Sequence, residues 1–213
     1  AFNTSVYHYG PLRTIRSQAD RDALKLAVDQ IGSTGNTNIN IGLQGGFSEL
    51  LSDISSNHKT AILLTDGEQT SGAYNPQSHL QYRDKGWPIY TIGLGNGADL
   101  NLLRQIATDT DGECVNNCTA LADPNDLQAL YFEILQDISG RSLVLNTTTT
   151  MTQGSSQQIA LGLPPEQSSA LFFTGWPGSE VSMTLTSPTG RRITPSTYNA
   201  DVYHAKGLTY ELY

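Results

Sequence analysis

An acidic residue directly follows an apolar run in residues 61–68, whose sequence is AILLTDGE. The apolar run predicts a buried strand, and Asp66 stands where that strand ends. In an open parallel sheet, ligands bind beyond the carboxyl ends of the strands, where the chain crosses between the two faces. A carboxylate in this place can be a metal ligand, a catalytic acid or only the cap of the next helix. The segment alone leaves these three roles open.

A second polar segment, STGNTNINIGLQGG at residues 33–46, precedes a predicted helix and has Thr37 in its middle. Hydroxyl and carboxylate oxygens are hard ligands that suit Mg²⁺, Ca²⁺ or Mn²⁺. Thr37 and Asp66 are therefore candidate ligands of a divalent cation. Glu68 either supports these ligands without contacting the cation itself or is simply exposed to solvent.

Residues 1–140 alternate segments with strand-like and helix-like patterns, which predicts a layered α/β domain. Residues 6–12 alternate and end at Pro11, as an edge strand does. Two short runs are apolar on both faces, which is typical of parallel strands covered on both sides, at residues 60–65 and 87–94. Apolar residues at helical spacing predict four helices. These helices lie at residues 17–32, 41–55, 99–109 and 124–139. The first has its apolar positions at Leu24, Ala27, Val28 and Ile31, and Asp99 caps the third. The last begins with Pro124, Asn125 and Asp126, and Gly140 follows its end.

Residues 141–213 have a different texture, without helical spacing. Short β-branched or aromatic runs are separated by Gly, Pro, Ser and Asn about every ten residues, which predicts an all-β sandwich. The predicted strands are at residues 142–151, 157–163, 169–176, 181–188, 201–207 and 208–213. We therefore expect one domain at residues 1–140 and a second, β-sandwich domain at 141–213.

The composition restricts the partners and the compartment. The 213-residue chain has a formal net charge of −8, which argues against nucleic acid or an anionic membrane as a partner. No apolar run approaches the roughly 18 residues of a membrane span. Cys114 and Cys118 are the only cysteines and are too few for a closed zinc site, so they form either a short disulfide or a pair of free thiols in a cytosolic protein. The disulfide, with few lysines, favours an extracellular setting.

Five segments carry a common pattern: FNTSV with the following PL, DRDALKLAVDQI, GNTNINIGL, AILLTDGE and PIYTIGLG. In order and spacing, these segments together resemble the von Willebrand factor A-domain family. The resemblance covers about residues 1–140 and implies a doubly wound, Rossmann-like domain with a metal-ion-dependent adhesion site. It places the family's threonine at Thr37 and its strand-end aspartate at Asp66. An acidic group of the ligand usually completes the metal's coordination in this family. A β-sandwich after such a domain resembles secreted and surface proteins of the calcium-activated chloride channel regulator type.

One element of the family pattern is missing. The family's first strand is followed by Asp-x-Ser-x-Ser, and no such triplet precedes Thr37. A central strand contributes roughly 6–12 kcal/mol of apolar burial, which is comparable with the about 5–15 kcal/mol that stabilises a whole domain. We therefore expect that an upstream segment or a partner chain supplies the first strand and helix, and that the chain is also cut at its other end, within a strand.

Three functions remain to be compared. The resemblance favours a non-enzymatic, extracellular adhesion module that binds a protein or glycan ligand with an acidic group through the cation. A metal-free structural module within a larger surface protein is the first alternative. A nucleotide-binding oxidoreductase is the second, because Gly93, Gly95 and Ala98 match a dinucleotide fingerprint formally. The histidines lie near no evident nucleophile, and neither Gly-x-Ser-x-Gly nor His-Glu-x-x-His occurs.

Overall fold

The computed structural model describes two compact units, Ala1–Ser139 (unit 1) and Gly140–Tyr213 (unit 2). The described residues are 1–15, 17–32, 34–121, 127–140, 142–165, 167–176, 178–197, 202–207 and 210–213. The predicted helix start at Pro124, Asn125 and Asp126 lies outside them, as do parts of the predicted strands at 201–207 and 208–213.

Two parallel strands form the centre of unit 1. Strand β1 (Ala61–Thr65) pairs in register with β2 (Ile89–Gly93), from Ala61 opposite Ile89 to Thr65 opposite Gly93. Every residue of β2 is buried, as its continuous apolar sequence predicts. Thr91 of β2 also forms a single parallel bridge to Cys114, and Leu94, directly after β2, forms one to Leu121.

Helices cover both faces of this strand pair, which confirms the doubly wound α/β fold. Leu63 and Ile89 pack on one face against three helices, and Leu64 and Tyr90 pack on the other face against the last helix of unit 1. No described helix is long and apolar enough to cross a membrane. The helices are α1 (Gln18–Asp29), α2 (Ile39–Ser52), α3 (Gln77–Arg83), α4 (Leu100–Asp109), α5 (Val115–Cys118) and α6 (Leu127–Ser139).

The four predicted helices are present, and two short ones were missed. Asp99 caps α4 as predicted, because its side chain accepts a hydrogen bond from the Leu102 amide at 3.0 Å. Helix α3 has only seven residues and a polar sequence, so helical periodicity could not reveal it. Its Tyr82 is fully buried and donates a hydrogen bond to the Leu43 carbonyl oxygen at 2.6 Å, which ties α3 to α2.

The outer edge of β1 is open. Among the described residues, β2 is the only strand that pairs with β1. The Ala61 amide and the Thr65 carbonyl bond toward the β2 side. Because these directions alternate along a strand, the backbone groups of Ile62 and Leu64 point to the opposite edge. The Ile62 side chain is also 42% exposed, although its apolar run predicts burial.

Helix α1 forms as predicted, yet its apolar face is not buried. Leu24, Val28 and Ile31 are 42%, 63% and 48% exposed, and no described residue of α1 is buried. The helix is stabilised locally by a capping box between Ser17 and Asp20. Its apolar face stays exposed because the described residues provide no strand on that side for it to cover.

The edge strand predicted at residues 6–12 is wrong. Val6 forms only a single antiparallel bridge to Phe2, and the residues that follow it form no strand. A tight turn at Asn3 accounts for this bridge, because its side chain accepts the Ser5 amide at 2.8 Å. A strand needs a neighbouring backbone to pair with, and among the described residues only Ala1 and Phe2 supply one, for Tyr7 and Val6.

Unit 2 contains short antiparallel strands and, among its described residues, no helix. Its strands are β3 (Phe173–Gly175), β4 (Leu185–Thr186), β5 (Arg192–Ile193), β6 (Ala205–Lys206) and β7 (Tyr210–Leu212). One sheet has the order β3-β7-β6, and β4 pairs with β5 across a tight turn at residues 187–191, where Gly190 has φ of +82°. The strands predicted at 142–151 and 157–163 are wrong, because both segments are exposed and have no strand beside them. The complete sandwich stays a prediction.

A buried carboxylate links the segments of unit 2. Glu211 is fully buried and accepts hydrogen bonds from the Met183 amide at 2.7 Å, from His204 Nε2 at 2.9 Å and from the Tyr213 hydroxyl at 3.3 Å. Burial and the neighbouring Glu211 raise the pKa of Tyr213 to about 12. Three donors on one carboxylate offset the cost of burying it.

Replacing Gly112 should destabilise unit 1, because a Cβ there would lie 2.1 Å from the Ile89 carbonyl oxygen. We expect Gly112→Ala to lower the free energy of unfolding by about 1–3 kcal/mol, the usual cost of overpacking. Urea unfolding followed by circular dichroism at 222 nm measures this, since every described helix lies in unit 1. Gly32→Ala is the matched control, because a Cβ added there would have no heavy atom within 4 Å apart from its own chain neighbours. Equal stability of the two variants would contradict the close packing of Gly112.

Candidate metal-binding site

Thr37 and Asp66 lie at the same end of the sheet. Asp66 directly follows β1 and is exposed, while Thr37 directly precedes Asn38, the N-cap of α2. A Cβ at Gly67 would lie 3.0 Å from Thr37 Oγ1. The hydroxyl of Thr37 therefore sits against the residue that follows Asp66, and both candidate ligands lie beyond the carboxyl end of β1.

The loop that follows β2 fixes the backbone of Asp66 from another side. A Cβ at Gly97 would lie 2.6 Å from the Asp66 carbonyl oxygen, so only glycine permits this approach. The Leu94 amide donates to the Thr65 carbonyl oxygen at 2.9 Å. Asp66 is thus set at a point where two strand-to-helix turns meet.

Close packing accounts for the glycines of the dinucleotide fingerprint. A Cβ at Gly93 would lie 2.8 Å from the Leu100 side chain and 3.1 Å from the Cβ of Ala98, and Gly95 has φ of +61°. These glycines are needed for a tight strand-to-helix turn with or without a nucleotide. The fingerprint therefore gives no support to nucleotide binding.

Residues 66–75, here called the Asp66 loop, are bonded to Thr37 through Thr70. The Thr37 amide donates to Thr70 Oγ1 at 2.8 Å. In return, the amides of Thr70 and Ser71 both donate to the Thr37 carbonyl oxygen at 3.0 Å. This reciprocal set holds Thr37 and the Asp66 loop in one arrangement.

Gln69 bonds the Asp66 loop to the first turn of α2. Its Oε1 accepts the amide of the buried Ile39 at 2.6 Å, and its Nε2 donates to the Ser71 carbonyl oxygen at 2.7 Å. The first amides of a helix have no partner within the helix. Gln69 therefore satisfies a donor that Asn38 leaves open, because the Asn38 side chain accepts the amide of Ile41 and not that of Ile39.

Asn40 bonds the far part of the Asp66 loop to the same helix turn. Its Nδ2 donates to the Ala73 carbonyl oxygen at 2.9 Å, and its Oδ1 accepts the Asn75 amide at 2.8 Å. The sequence prediction missed Gln69, Thr70 and Asn40. A polar loop that lies next to a helix start was the signal, but the individual partners depend on the folded loop.

The described residues supply oxygen ligands of the right chemistry, though not a complete shell. A hydroxyl and a carboxylate fit a hard divalent cation. Among the described residues, no group of three or more His, Cys, Asp or Glu side chains could hold a metal ion. Glu68 is exposed, so its part in the site stays a prediction. Thr37 and Asp66 would hold such an ion only together with further oxygen ligands.

The predicted disulfide is present between Cys114 and Cys118, whose Cα atoms are 5.0 Å apart. Cys114 forms the bridge to Thr91 of β2, and Cys118 is buried. The disulfide therefore fixes a short turn against the central strand, away from the oxygen ligands.

Parallel strands covered by helices on both faces define a doubly wound α/β domain. Its candidate oxygen ligands lie beyond the carboxyl end of a strand. Comparison with known families identifies which one. The family described as von Willebrand factor type A domain matches residues 1–133, more than half of the chain. The chain belongs to this family.

Several known proteins are similar to part of the chain. Inter-alpha-trypsin inhibitor heavy chain H1 of Bos taurus is 35% identical over 106 residues, 45% of this chain and 12% of that protein. Calcium-activated chloride channel regulator 1 of Equus caballus is 31% identical over 103 residues, 47% and 11% of the two chains. Proximal thread matrix protein 1 from the mussel byssus, solved with a zinc-occupied MIDAS motif, shares the fold with a TM-score of 0.51 and 22% identity, over 65% of this chain and 34% of its own.

Replacing Gln69 should loosen the Asp66 loop and destabilise unit 1. We expect Gln69→Ala to lower the free energy of unfolding by about 1–3 kcal/mol, because the buried Ile39 amide loses its acceptor. Gln69→Glu keeps that acceptor and loses only the Nε2 donor, which bonds Asn38, Ser71 and Gly72, so it should cost less. Urea unfolding of the three proteins measures the order. Equal losses in both variants would contradict the capping role of Gln69.

Proposed function

We propose that unit 1 is an adhesion or protein-interaction module that binds its partner through a divalent cation held in part by Thr37 and Asp66. The observation that carries this proposal is the hydrogen-bonded contact between Thr37 and the Asp66 loop, together with the Thr37 hydroxyl that lies against Gly67, the residue after the exposed Asp66. Family membership and the zinc-occupied motif of the mussel protein support it. Mg²⁺, Ca²⁺ and Mn²⁺ are the ions that suit these oxygen ligands best.

A bound cation would also solve an electrostatic problem for an acidic partner. The chain has a formal net charge of −8, so an acidic group on a protein or glycan ligand is repelled at long range. A divalent ion with an open coordination position offers that group a local positive charge. The acidic group of the partner then completes the coordination, which makes recognition dependent on the ion.

The function proposed here requires no catalysis. His8, His79 and His204 each contact a carboxylate, at 2.6–2.9 Å, and none of these contacts includes Thr37 or Asp66. We place the protein outside the cell or on its surface, which the disulfide supports. Unit 2 would serve as a spacer or as a second interaction surface.

The site would be completed by a strand that pairs with the open edge of β1. A parallel strand at that edge would end beside Asp66, because the carboxyl ends of parallel strands meet at one edge of the sheet. The exposed side chain of Ile62 and the exposed apolar face of α1 support this proposal. Residues outside 1–213, upstream in the natural polypeptide or in a partner chain, would supply the strand and the Asp-x-Ser-x-Ser ligands after it.

Removing the Asp66 carboxylate should weaken cation binding. We expect isothermal titration with Mn²⁺ or Mg²⁺ to show at least tenfold weaker binding for Asp66→Ala and for Thr37→Ala. Asp84→Asn is the control, because this exposed aspartate lies at the end of α3 and pairs with Arg83. Titration with NAD should show no binding.

The rival functions predict different titrations. NAD binding would favour the nucleotide-binding alternative. If neither NAD nor a cation binds, the result would favour a metal-free structural module. One observation supports this alternative: no group of three His, Cys, Asp or Glu side chains among the described residues could hold a metal ion. An unchanged Mn²⁺ affinity in Asp66→Ala would contradict the proposed site.

Pairing at the open edge of β1 should protect its outward amides. We expect the Ile62 and Leu64 amides to exchange with solvent at least tenfold more slowly in a natural polypeptide that includes residues ahead of Ala1 than in residues 1–213 alone. The inward amide of Leu63 is the internal control. Equal exchange of Ile62 in the two chains, or a natural sequence without Asp-x-Ser-x-Ser ahead of Ala1, would contradict the completing strand.

A further inference from the structure

Three side chains from three different segments form a hydrogen-bonded chain beyond the far end of the Asp66 loop. The Tyr74 hydroxyl lies 2.6 Å from His79 Nδ1, and His79 Nε2 lies 2.9 Å from Asp109 Oδ2. Tyr74 belongs to the loop, His79 to α3 and Asp109 to the last turn of α4. His79 is fully buried, whereas the Asp109 side chain is 37% exposed. The chain therefore runs from the loop through the core to the surface.

The chemistry of the three groups fixes the direction of the hydrogen bonds. An ionised Asp109 can only accept, so His79 Nε2 carries the proton of that bond. In the neutral imidazole, Nδ1 is then an acceptor, and the Tyr74 hydroxyl donates a hydrogen bond to it. Burial and the negative charge of Asp109 raise the pKa of Tyr74, which keeps that proton on the tyrosine. Each of the three groups thus has a defined role as donor or acceptor.

Tyr74 is well placed to control the conformation of the Asp66 loop. Its neighbours Ala73 and Asn75 are both bonded to Asn40 of α2, while its own ring turns inward and stacks on His79 at 5.8 Å between ring centroids. The loop is therefore held at this end against α2 on one side and against α3 and α4 on the other. At its other end the loop is held by Thr37.

We propose that His79 is a positioning residue for the candidate cation site, acting through Tyr74. The inference rests on the function proposed above. By fixing the far end of the Asp66 loop, His79 reduces the number of conformations the loop can adopt before the ion binds. Ordering a loop costs conformational free energy, and a site whose ligands are already in place binds more tightly than one that must order them. A buried histidine with two satisfied hydrogen bonds specifies one loop conformation, which an apolar side chain of similar size could not do.

Two substitutions separate the two hydrogen bonds of His79. The side-chain amide of asparagine reaches the position of Nδ1 and can accept from Tyr74, whereas that of glutamine reaches the position of Nε2 and can bond Asp109. We expect His79→Gln and Tyr74→Phe to weaken Mn²⁺ binding by the 213-residue chain three- to tenfold. We expect His79→Asn to bind within twofold of the unchanged protein. Thermal unfolding of both His79 variants should show similar losses, so that stability alone cannot account for the difference in affinity.

Amide hydrogen exchange without metal tests the same inference by a second route. We expect Tyr74→Phe to speed exchange at Ser71 and Asn75 at least tenfold and to leave the amides of β2 unchanged. Equal affinities of His79→Asn and His79→Gln, or unchanged exchange in Tyr74→Phe, would overturn the positioning role. If the unchanged protein does not bind Mn²⁺, the proposed function is contradicted instead. The exchange rates would then test on their own whether Tyr74 and His79 fix the conformation of the Asp66 loop.

Discussion

The pairing of β1 with β2 is the interaction on which the rest of unit 1 depends. It brings two apolar strands into register and so creates two faces on which helices pack. The same pairing sets the carboxyl ends of both strands side by side, and the loops that leave those ends must then share one space. Asp66 takes its position from this geometry, because its carbonyl group is in contact with Gly97 of the neighbouring turn.

Beyond the ends of the strands, hydrogen bonds from polar side chains hold the backbone in place. Apart from the Tyr74 ring, the Asp66 loop lies at the surface and gains little from apolar burial, and its backbone groups still need partners. Gln69, Thr70 and Asn40 supply those partners, and each of them bonds the loop to the region where α2 begins. Among the described residues, no buried side-chain polar atom lacks a hydrogen bond. The Asp66 loop is thus held mainly by hydrogen bonds, whereas the core is held by apolar packing.

The sequence alone predicted most of unit 1 and part of its site. Periodicity identified both strands and the four longer helices because each has enough apolar residues to leave a pattern. Helix α1 has this pattern too, but its apolar face is exposed because no strand covers it among the described residues. Helix α3 was missed because its seven residues are mostly polar and its buried residues, Ser78, His79 and Tyr82, leave no apolar period. Thr37 and Asp66 could be named from their places at a loop and a strand end, whereas His79 could not, because its partners lie 5 and 30 residues away. In unit 2, apolar alternation at residues 157–163 predicted a strand, yet a strand forms only where another backbone is there to receive it.

An unpaired strand edge has a consequence for the protein in solution. Such an edge is a template for association with another copy, and proteins usually limit this by keeping edge strands short and by placing charges on them. Strand β1 has five residues, and Lys59 and Asp66 lie just beyond its two ends. Among the described residues, β1 therefore leaves only a short edge with a charge near each end, which disfavours a growing stack of identical copies. A net negative charge on every copy acts in the same direction.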